Sequence, residues 1–214
     1  MVFLSIINHK LMITLKVQYI LKHRMIIGID EVGRGCWAGP LVAAAVGFEE
    51  HIEIPGLTDS KQLSAKKRRQ LITVIQNTTS YIGVGWVWPK EINNLGLTES
   101  VRLAMQRAID QVEIGDHEII IDGSYNFLEH LPNTSPVIRA DGTNQSVSAA
   151  SVVAKVLRDE YMIEVSKKYP QYGFETNVGY GTVLHSKALK QHGVLSIHRI
   201  NYKPIQKIIN EKQT

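Results

Sequence analysis

Short apolar runs, separated by turns and amphipathic segments, dominate the hydrophobic pattern of this chain. Compact apolar runs bounded by Gly, Pro or Asp are typical of buried strands, whereas apolar residues spaced three and four apart indicate helices. Strands are predicted at residues 26–29, 41–48, 81–88, 118–121 and 137–139. Helices are predicted at residues 65–76, 98–112 and 185–192, and a long helix is predicted to begin at Ser146 or Ser148. We expect the first two strands to form a hairpin within a mostly parallel or mixed sheet.

Carboxylates follow several predicted strands at the points where these strands end. Asp30 and Glu31 follow the first strand, and Asp122 follows the fourth. Strand ends gather on one edge of such a sheet, so these acids are expected to meet there, although ordinary acidic turns are the alternative. Neighbours in a strand face opposite sides, so Asp30 and Glu31 share one site only if the strand ends or bulges there. Asp141, at a strand-to-helix junction, ranks only slightly above Asp159 as a ligand on position alone.

A glycine-flanked arginine follows the first pair of acids, at Gly33, Arg34 and Gly35. The glycines predict a sharp turn with exposed backbone N–H groups, next to hard oxygen ligands for a divalent cation. The histidines lack the spacing of a zinc site, so clustered carboxylates favour Mg²⁺ or Mn²⁺. Two such ions about 4 Å apart clamp the attacking and leaving oxygens of a phosphodiester. The pattern therefore indicates metal-dependent phosphodiester chemistry.

The composition sets bounds on the class of protein. The 214 residues, 44% of them hydrophobic, fit one globular domain with a sizeable core. A single cysteine, Cys36, excludes an internal disulfide and suits a reducing compartment. No apolar run reaches the roughly 18 residues expected of a membrane span. The net charge of +4 and the pI of about 9.1 mildly favour a polyanionic partner such as nucleic acid.

Residues 1–24 are predicted to be an extension to the main domain. The segment lacks the long apolar core and the small-residue cleavage site of a signal peptide. Residues 13–21 alternate between apolar and polar side chains at strand period. Two interpretations stay open: an extra edge strand or arm, or a start assigned too early, with the domain beginning at Met25. The second is slightly favoured, because Met25 directly precedes the first predicted strand.

A series of spaced motifs runs through the rest of the chain. The first is Gly28-Ile29-Asp30-Glu31-Val32-Gly33-Arg34-Gly35. The others, in order, are Asp59-Ser60-Lys61, Asp122-Gly123, residues 148–156, Arg158-Asp159, residues 169–174, Gly179-Tyr180, His192-Gly193 and His198-Arg199. Together they closely resemble the type 2 ribonuclease H family, bacterial ribonuclease HII. The resemblance covers about residues 25–205 and is specific, because many separate motifs agree.

The resemblance implies an α/β protein with an RNase H-like fold: a mixed five-stranded sheet flanked by helices, with a helical C-terminal part. It implies that residues 25–214 form the catalytic domain of an endoribonuclease with a two-metal mechanism using Mg²⁺ or Mn²⁺. The implied substrates are RNA–DNA hybrids, cut in the RNA strand, and DNA duplexes with embedded ribonucleotides. The implied products carry 3′-hydroxyl and 5′-phosphate ends. The implied setting is a cytoplasmic, monomeric repair enzyme without membrane contact, and a sliding-clamp partner stays an open question.

The resemblance also implies roles for individual residues. The catalytic metal ligands are Asp30, Glu31, Asp122 and Asp141. The loop formed by Gly33, Arg34 and Gly35 senses the ribose 2′-hydroxyl, and Tyr180 packs on the sugar at the RNA–DNA junction. Lys61, Lys155 and Arg158 are candidates for phosphate contacts.

The chain departs from the family pattern at a few positions. Asn177-Val178 stands where the family commonly has His-Lys, and Trp37 occupies a position that is usually smaller or aliphatic. Two alternatives follow: a ribonuclease HIII-type enzyme, and a non-catalytic nucleic-acid-binding protein on the same fold. Arg34 and the short extension argue against the HIII type, which usually has a lysine in the loop and a large N-terminal domain. The presence of all four acids argues against a non-catalytic protein.

Overall fold

A single mixed sheet organises the protein, whose computed structural model describes residues 25–49 and 52–211. Its strands are β1 (Met25–Val32), β2 (Leu41–Glu49), β3 (Tyr81–Val87), β4 (Glu118–Asp122) and β5 (Thr134–Val137). They lie in the order β3-β2-β1-β4-β5. β2 pairs antiparallel with β1 and β3, whereas β1–β4 and β4–β5 are parallel. The predicted mixed five-stranded sheet is confirmed, and the interpretation of residues 1–24 lies outside the described residues.

Seven α-helices connect and follow the strands within the described part of the chain. They are α1 (Ala65–Thr78), α2 (Pro89–Leu95), α3 (Leu97–Ile109), α4 (Gln145–Lys168), α5 (Phe174–Asn177), α6 (Val183–His192) and α7 (Lys203–Glu211). α1 begins as predicted, because the Ser64 hydroxyl accepts a hydrogen bond from the Lys67 N–H. No described helix is long and apolar enough to cross a membrane.

Helices cover both faces of the sheet. On one face, α3 packs on β1, where Ile27 and Ile29 are fully buried; α1 and α4 cover the other face. Gly28 lets α4 approach β1 closely, since a Cβ atom there would lie 2.1 Å from the backbone nitrogen of Val147. The Ser146 hydroxyl then donates to the Ile26 carbonyl over 2.7 Å. These contacts hold the start of α4 against the strand that carries Asp30 and Glu31.

Two of the predicted boundaries that differ from the structure lie next to the carboxylates. The fifth strand was expected at residues 137–139, but it ends at Val137, and Arg139 adopts a left-handed conformation with φ 59°. The long helix is capped by Asn144, whose side chain accepts from two backbone N–H groups. Neither Ser146 nor Ser148 caps it, because both lie inside the helix and donate to the carbonyls of Ile26 and Asp141.

A separate cluster of apolar side chains holds the C-terminal part together. Tyr172, Phe174 and Leu189 are almost fully buried there, together with Ile205 from α7. Isolated bridges join this part to the chain after β1, between Cys36 and Tyr180 and between Ala38 and His198. The predicted helical C-terminal part is confirmed, and it lies directly against the glycine loop.

Candidate active site

Three carboxylates meet at the edge of the sheet where β1 and β4 end. Asp30, Asp122 and Asp141 each offer an oxygen within 4.8 Å of the others. The parallel register pairs Ile29 with Ile121, so Asp30 and Asp122 follow side by side on the same face. Asp141 reaches them from a single turn of 3₁₀ helix after β5, and its N–H donates to Asp122 Oδ1 over 3.4 Å.

Glu31 borders these three acids but is not one of them. Ile27 and Ile29 point toward α3, and strand alternation places Glu31 on the same side, opposite Asp30. Its Oε1 accepts from Arg34 Nη1 over 3.3 Å, and Glu31 is not among the three acids that could hold one ion. Burial raises the pKa of Glu31, Arg34 lowers it, and the charge of Asp122 raises it further. Glu31 therefore borders the cluster while it is paired with the loop.

The site carries more negative charge than its surroundings balance. Burial raises the pKa of Asp30 well above its usual range, and the charges of Glu31 and Asp122 raise it further. Burial and then Asp141 raise the pKa of Asp122. Lys61 Nζ donates to Asp141 Oδ2 over 3.1 Å, but the Lys61 side chain is 74% exposed, so this pair is weak. Three convergent carboxylates, of which Asp30 and Asp122 have raised pKa values, suit a hard divalent cation, because its charge stabilises ionised carboxylates.

The glycine loop and Tyr180 form a wall next to the acids. Gly33 has φ 98°, and a Cβ atom there would lie 2.5 Å from Arg158 Nε. At Gly35 an added Cβ would meet only the Tyr180 ring, at 4.0 Å. Tyr180 is 39% exposed, with Lys155 Nζ 5.8 Å from its ring centre. The loop thus opens onto space next to an accessible aromatic ring.

The three predicted phosphate contacts occupy different environments. Lys61 lies at the carboxylate site, as described above. Lys155 lies beneath Tyr180 and donates to Asp159 Oδ1 over 2.8 Å, so Asp159 is engaged away from the cluster. Arg158 is fully buried, and its guanidinium donates to the carbonyls of Ala38, Pro40 and Val178. A phosphate has no access to Arg158, so this prediction is corrected to a structural role.

Sequence reasoning did not identify a chain of hydrogen bonds that ends at Tyr180. Leu195 N–H donates to His198 Nδ1 over 2.8 Å, a shorter contact than the 3.2 Å from Nδ1 to the Leu195 carbonyl, and this favours the tautomer with the His198 proton on Nε2. His198 Nε2 lies 3.0 Å from His185 Nε2, and His185 Nδ1 lies 2.9 Å from the Tyr180 carbonyl. Both imidazoles are fully buried. No fixed spacing signals this pair, because the two histidines are 13 positions apart and the chain between them crosses from α6 into a loop.

Arg199 was also missed as a functional candidate. The motif His198-Arg199 contributed to the family resemblance, but no role was predicted for Arg199. In the structure Arg199 is fully buried, and its guanidinium contacts the carbonyls of Gly33, Arg34 and Gly39. Its burial depends on partners more than 150 positions earlier in the chain, which no local pattern reveals.

The sheet order and the carboxylate edge define the class of protein as one with a ribonuclease H-like fold. The ribonuclease H2 structure from Pyrococcus horikoshii OT3 superposes with a TM-score of 0.76 at 26% identity, covering 89% of this chain and 99% of that one. Ribonuclease HII from Archaeoglobus fulgidus, solved as its complex with PCNA, gives 0.70 at 25% identity, covering 86% and 96%. A ribonuclease HIII structure from Bst gives 0.68 at 20% identity, which shows the fold alone.

The family model for ribonuclease HII matches residues 27–205, and the chain belongs to that family. Ribonuclease HII of Dichelobacter nodosus (strain VCS1703A) is 42% identical over 190 residues, covering 88% of this chain and all of that protein. Ribonuclease HII of Geobacillus sp. (strain WCH70) is 41% identical over 191 residues, covering 88% and 67%. The family consists of hydrolytic endoribonucleases that act on RNA paired with DNA. The HII assignment is therefore favoured over the HIII type.

Proposed function

We propose that this endoribonuclease also cuts at ribonucleotides embedded in duplex DNA, using Mg²⁺ or Mn²⁺, and leaves 3′-hydroxyl and 5′-phosphate ends. The observation that carries this proposal is the cluster of Asp30, Asp122 and Asp141 next to the glycine loop and Tyr180. The carboxylate cluster would supply the chemistry of phosphodiester hydrolysis, and the adjacent loop and aromatic ring would position it on the duplex.

The carboxylates are proposed as the metal ligands. Asp30, Asp122 and Asp141 fit a divalent cation by donor type, by mutual distance and by the raised pKa values of Asp30 and Asp122. We include Glu31 as a fourth ligand, because it directly follows Asp30 and its pKa responds to the charge of Asp122. Bound divalent ions would supply positive charge that activates water and stabilises the leaving oxygen of the phosphodiester.

Recognition of the substrate is assigned to the wall next to the acids. The backbone of Gly33, Arg34 and Gly35 is proposed to contact the ribose 2′-hydroxyl, the group that distinguishes RNA from DNA. Tyr180 is proposed to pack on the sugar at the junction, which is consistent with its accessible ring. Lys61 and Lys155 are proposed to contact phosphates, since positioning of the duplex depends mainly on backbone contacts.

Cleavage of a DNA duplex that contains one ribonucleotide tests this proposal. The products are mapped at nucleotide resolution with Mg²⁺, with Mn²⁺ and with EDTA. We expect a single cut at the ribonucleotide with either metal and none with EDTA. Asp122→Asn is expected to abolish cleavage and retain binding, whereas Asp116→Asn, an exposed acid at the opposite end of β4, retains both. Full cleavage activity of the unmodified protein in EDTA, or full cleavage activity of Asp122→Asn with metal, would contradict the proposal.

The proposal extends to a sliding-clamp contact, because the Archaeoglobus fulgidus relative forms a complex with PCNA. Co-elution of the purified chain with a purified clamp tests this part independently of cleavage. Separate elution of the two proteins would argue against it and would leave the nuclease assignment intact.

A further inference from the structure

The C-terminal part reaches back to the glycine loop through two side chains, Arg199 and Tyr202. Arg199 Nη1 donates to the Gly33 carbonyl over 2.6 Å and to the Arg34 carbonyl over 3.1 Å. The same nitrogen donates to the Tyr202 hydroxyl over 2.9 Å, and that hydroxyl donates to the Arg34 carbonyl over 2.6 Å. Arg199 Nε and Nη2 are anchored on the Gly39 carbonyl at 3.1 and 3.0 Å. Two consecutive loop carbonyls are thus fixed from one side.

The direction of these carbonyls determines the direction of the neighbouring N–H groups. The described peptide bonds are all trans, and a trans peptide is planar, with C=O and N–H pointing in opposite directions. Holding the Gly33 and Arg34 carbonyls toward Arg199 therefore turns the N–H groups of Arg34 and Gly35 away from it. Among the described residues, neither N–H has a hydrogen-bond acceptor. Both are therefore free to donate to a ligand.

The loop would not keep this orientation by itself. Gly33 and Gly35 flank Arg34, and glycine allows peptide units to rotate at little steric cost. The space at Gly35 is open apart from the Tyr180 ring, so surrounding atoms do not restrain that peptide unit. Apart from a 3.3 Å hydrogen bond from the Cys36 N–H to the Gly33 carbonyl, the hydrogen bonds from Arg199 and Tyr202 are the restraint that the described residues provide for these two carbonyls.

We propose that Arg199 and Tyr202 are positioning residues that orient two loop N–H groups toward the 2′-oxygen of a ribose and so set the selectivity for ribose over deoxyribose. The inference rests on the proposed function of the loop as the 2′-hydroxyl contact. An oriented donor in a polar site discriminates strongly against a substrate that lacks its acceptor, because the donor is then left unpaired. Neither positioning residue is assigned a contact with the substrate.

The test compares binding of two duplexes that differ by one hydroxyl. The Asp122→Asn protein, which we expect not to cleave, provides the background, with Mg²⁺ present. The measured quantity is the ratio of the Kd for an all-DNA duplex to the Kd for the same duplex with one ribonucleotide. Tyr202→Phe removes only a hydroxyl and is expected to lower this ratio about tenfold, as for the loss of one well-placed hydrogen bond. Arg199→Lys cannot span the three carbonyls and is expected to lower it further.

Tyr172→Phe is the matched control. Its hydroxyl also donates to a backbone carbonyl in the C-terminal part, that of Gly193 at 2.7 Å, but it does not contact the loop. It is expected to lower the melting temperature and leave the ratio unchanged. The inference would be overturned if Tyr202→Phe leaves the ratio of the background protein unchanged, or if Tyr172→Phe lowers the ratio as much as Tyr202→Phe does. Both outcomes can be measured even if Arg199→Lys fails to fold. A ratio of one in the background protein would instead count against the proposed function itself.

Discussion

The carboxylate site and a buried basic cluster differ in how far their ionisable groups are balanced by neighbouring atoms. The buried basic cluster is formed by Arg158, Arg199, His185 and His198. At the carboxylate site, three acids converge, and burial together with neighbouring negative charge raises the pKa of Asp30 and of Asp122. In the basic cluster, the buried nitrogens are partnered by carbonyls, by a hydroxyl or by each other. Carboxylates whose negative charge is not balanced can bind a cation, whereas buried side chains whose hydrogen bonds are satisfied form a rigid support. The carboxylates are therefore candidates for binding, whereas the basic side chains hold the binding surface in place.

Neutralising one acid should produce the largest effect and the sharpest contrast. Asp30→Asn is expected to lower cleavage roughly a thousandfold, since losing a proposed metal ligand would remove several kcal/mol of charge stabilisation in the transition state. The same change should raise the melting temperature in EDTA, because the raised pKa of Asp30 shows that its ionised form is destabilised in the fold. Cleavage rates and thermal melts on one preparation check both signs. A lower melting temperature of Asp30→Asn in EDTA would contradict the expected difference between the two regions.

Removing a member of the basic cluster should have the opposite effect on stability. Arg158→Met removes the donor from two buried carbonyls and one partly buried carbonyl, and it is expected to lower the free energy of unfolding by about 3 kcal/mol. Arg69→Met is the control, because Arg69 is exposed and its salt bridge with Glu160 is long, at 3.7 Å. This substitution should lower the free energy of unfolding by less than about 1 kcal/mol. Urea unfolding measures both. Equal losses would show that burial of Arg158 contributes no special support.

The two regions should also respond oppositely to pH. Burial lowers the pKa of His198 to about 4, whereas an unfolded imidazole titrates near 6.5. The unfolded chain therefore binds more protons between these values, so the stability due to neutral His198, up to about 3 kcal/mol, is lost as pH falls from 6.5 toward 4. Asp30 and Asp122 act in the other direction, because their raised pKa values make ionisation costly as pH rises above their unfolded values near 3.8.

Urea unfolding in EDTA from pH 4 to pH 7.5 resolves this slope. His198→Gln should flatten the acid side of the profile, and His192→Gln, an exposed imidazole, should leave it unchanged. If stability still falls as steeply toward low pH in His198→Gln, the histidine pair does not cause the loss of stability in acid.

The sequence predicted the elements whose signals are local. The β1–β2 hairpin and the Ser64 cap of α1 follow from apolar runs and capping chemistry, and both are found. The start of α4 was missed because Ser146 and Ser148 have tertiary partners, which leaves the cap to Asn144. Local propensity does not encode such distant carbonyls.

The site divides in the same way. Strand-end position was enough to bring Asp30 and Asp122 together, and Asp141 joins them as the family resemblance implied. Arg158 was predicted, from the family resemblance, to contact a phosphate, which requires an accessible side chain. Its burial depends on three carbonyls from two separate loops, which only the folded chain assembles.

The hydrogen bonds from Arg199 and Tyr202 to the glycine loop have a consequence for biosynthesis. They join residues 166 and 168 positions apart, whereas the acids and α4 are complete by residue 168. A chain emerging from the ribosome presents its N-terminal segments first. The carboxylate edge is therefore synthesised well before the residues that orient the loop. Selectivity for ribose would then be acquired as a final maturation step, after the elements needed for cation binding already exist.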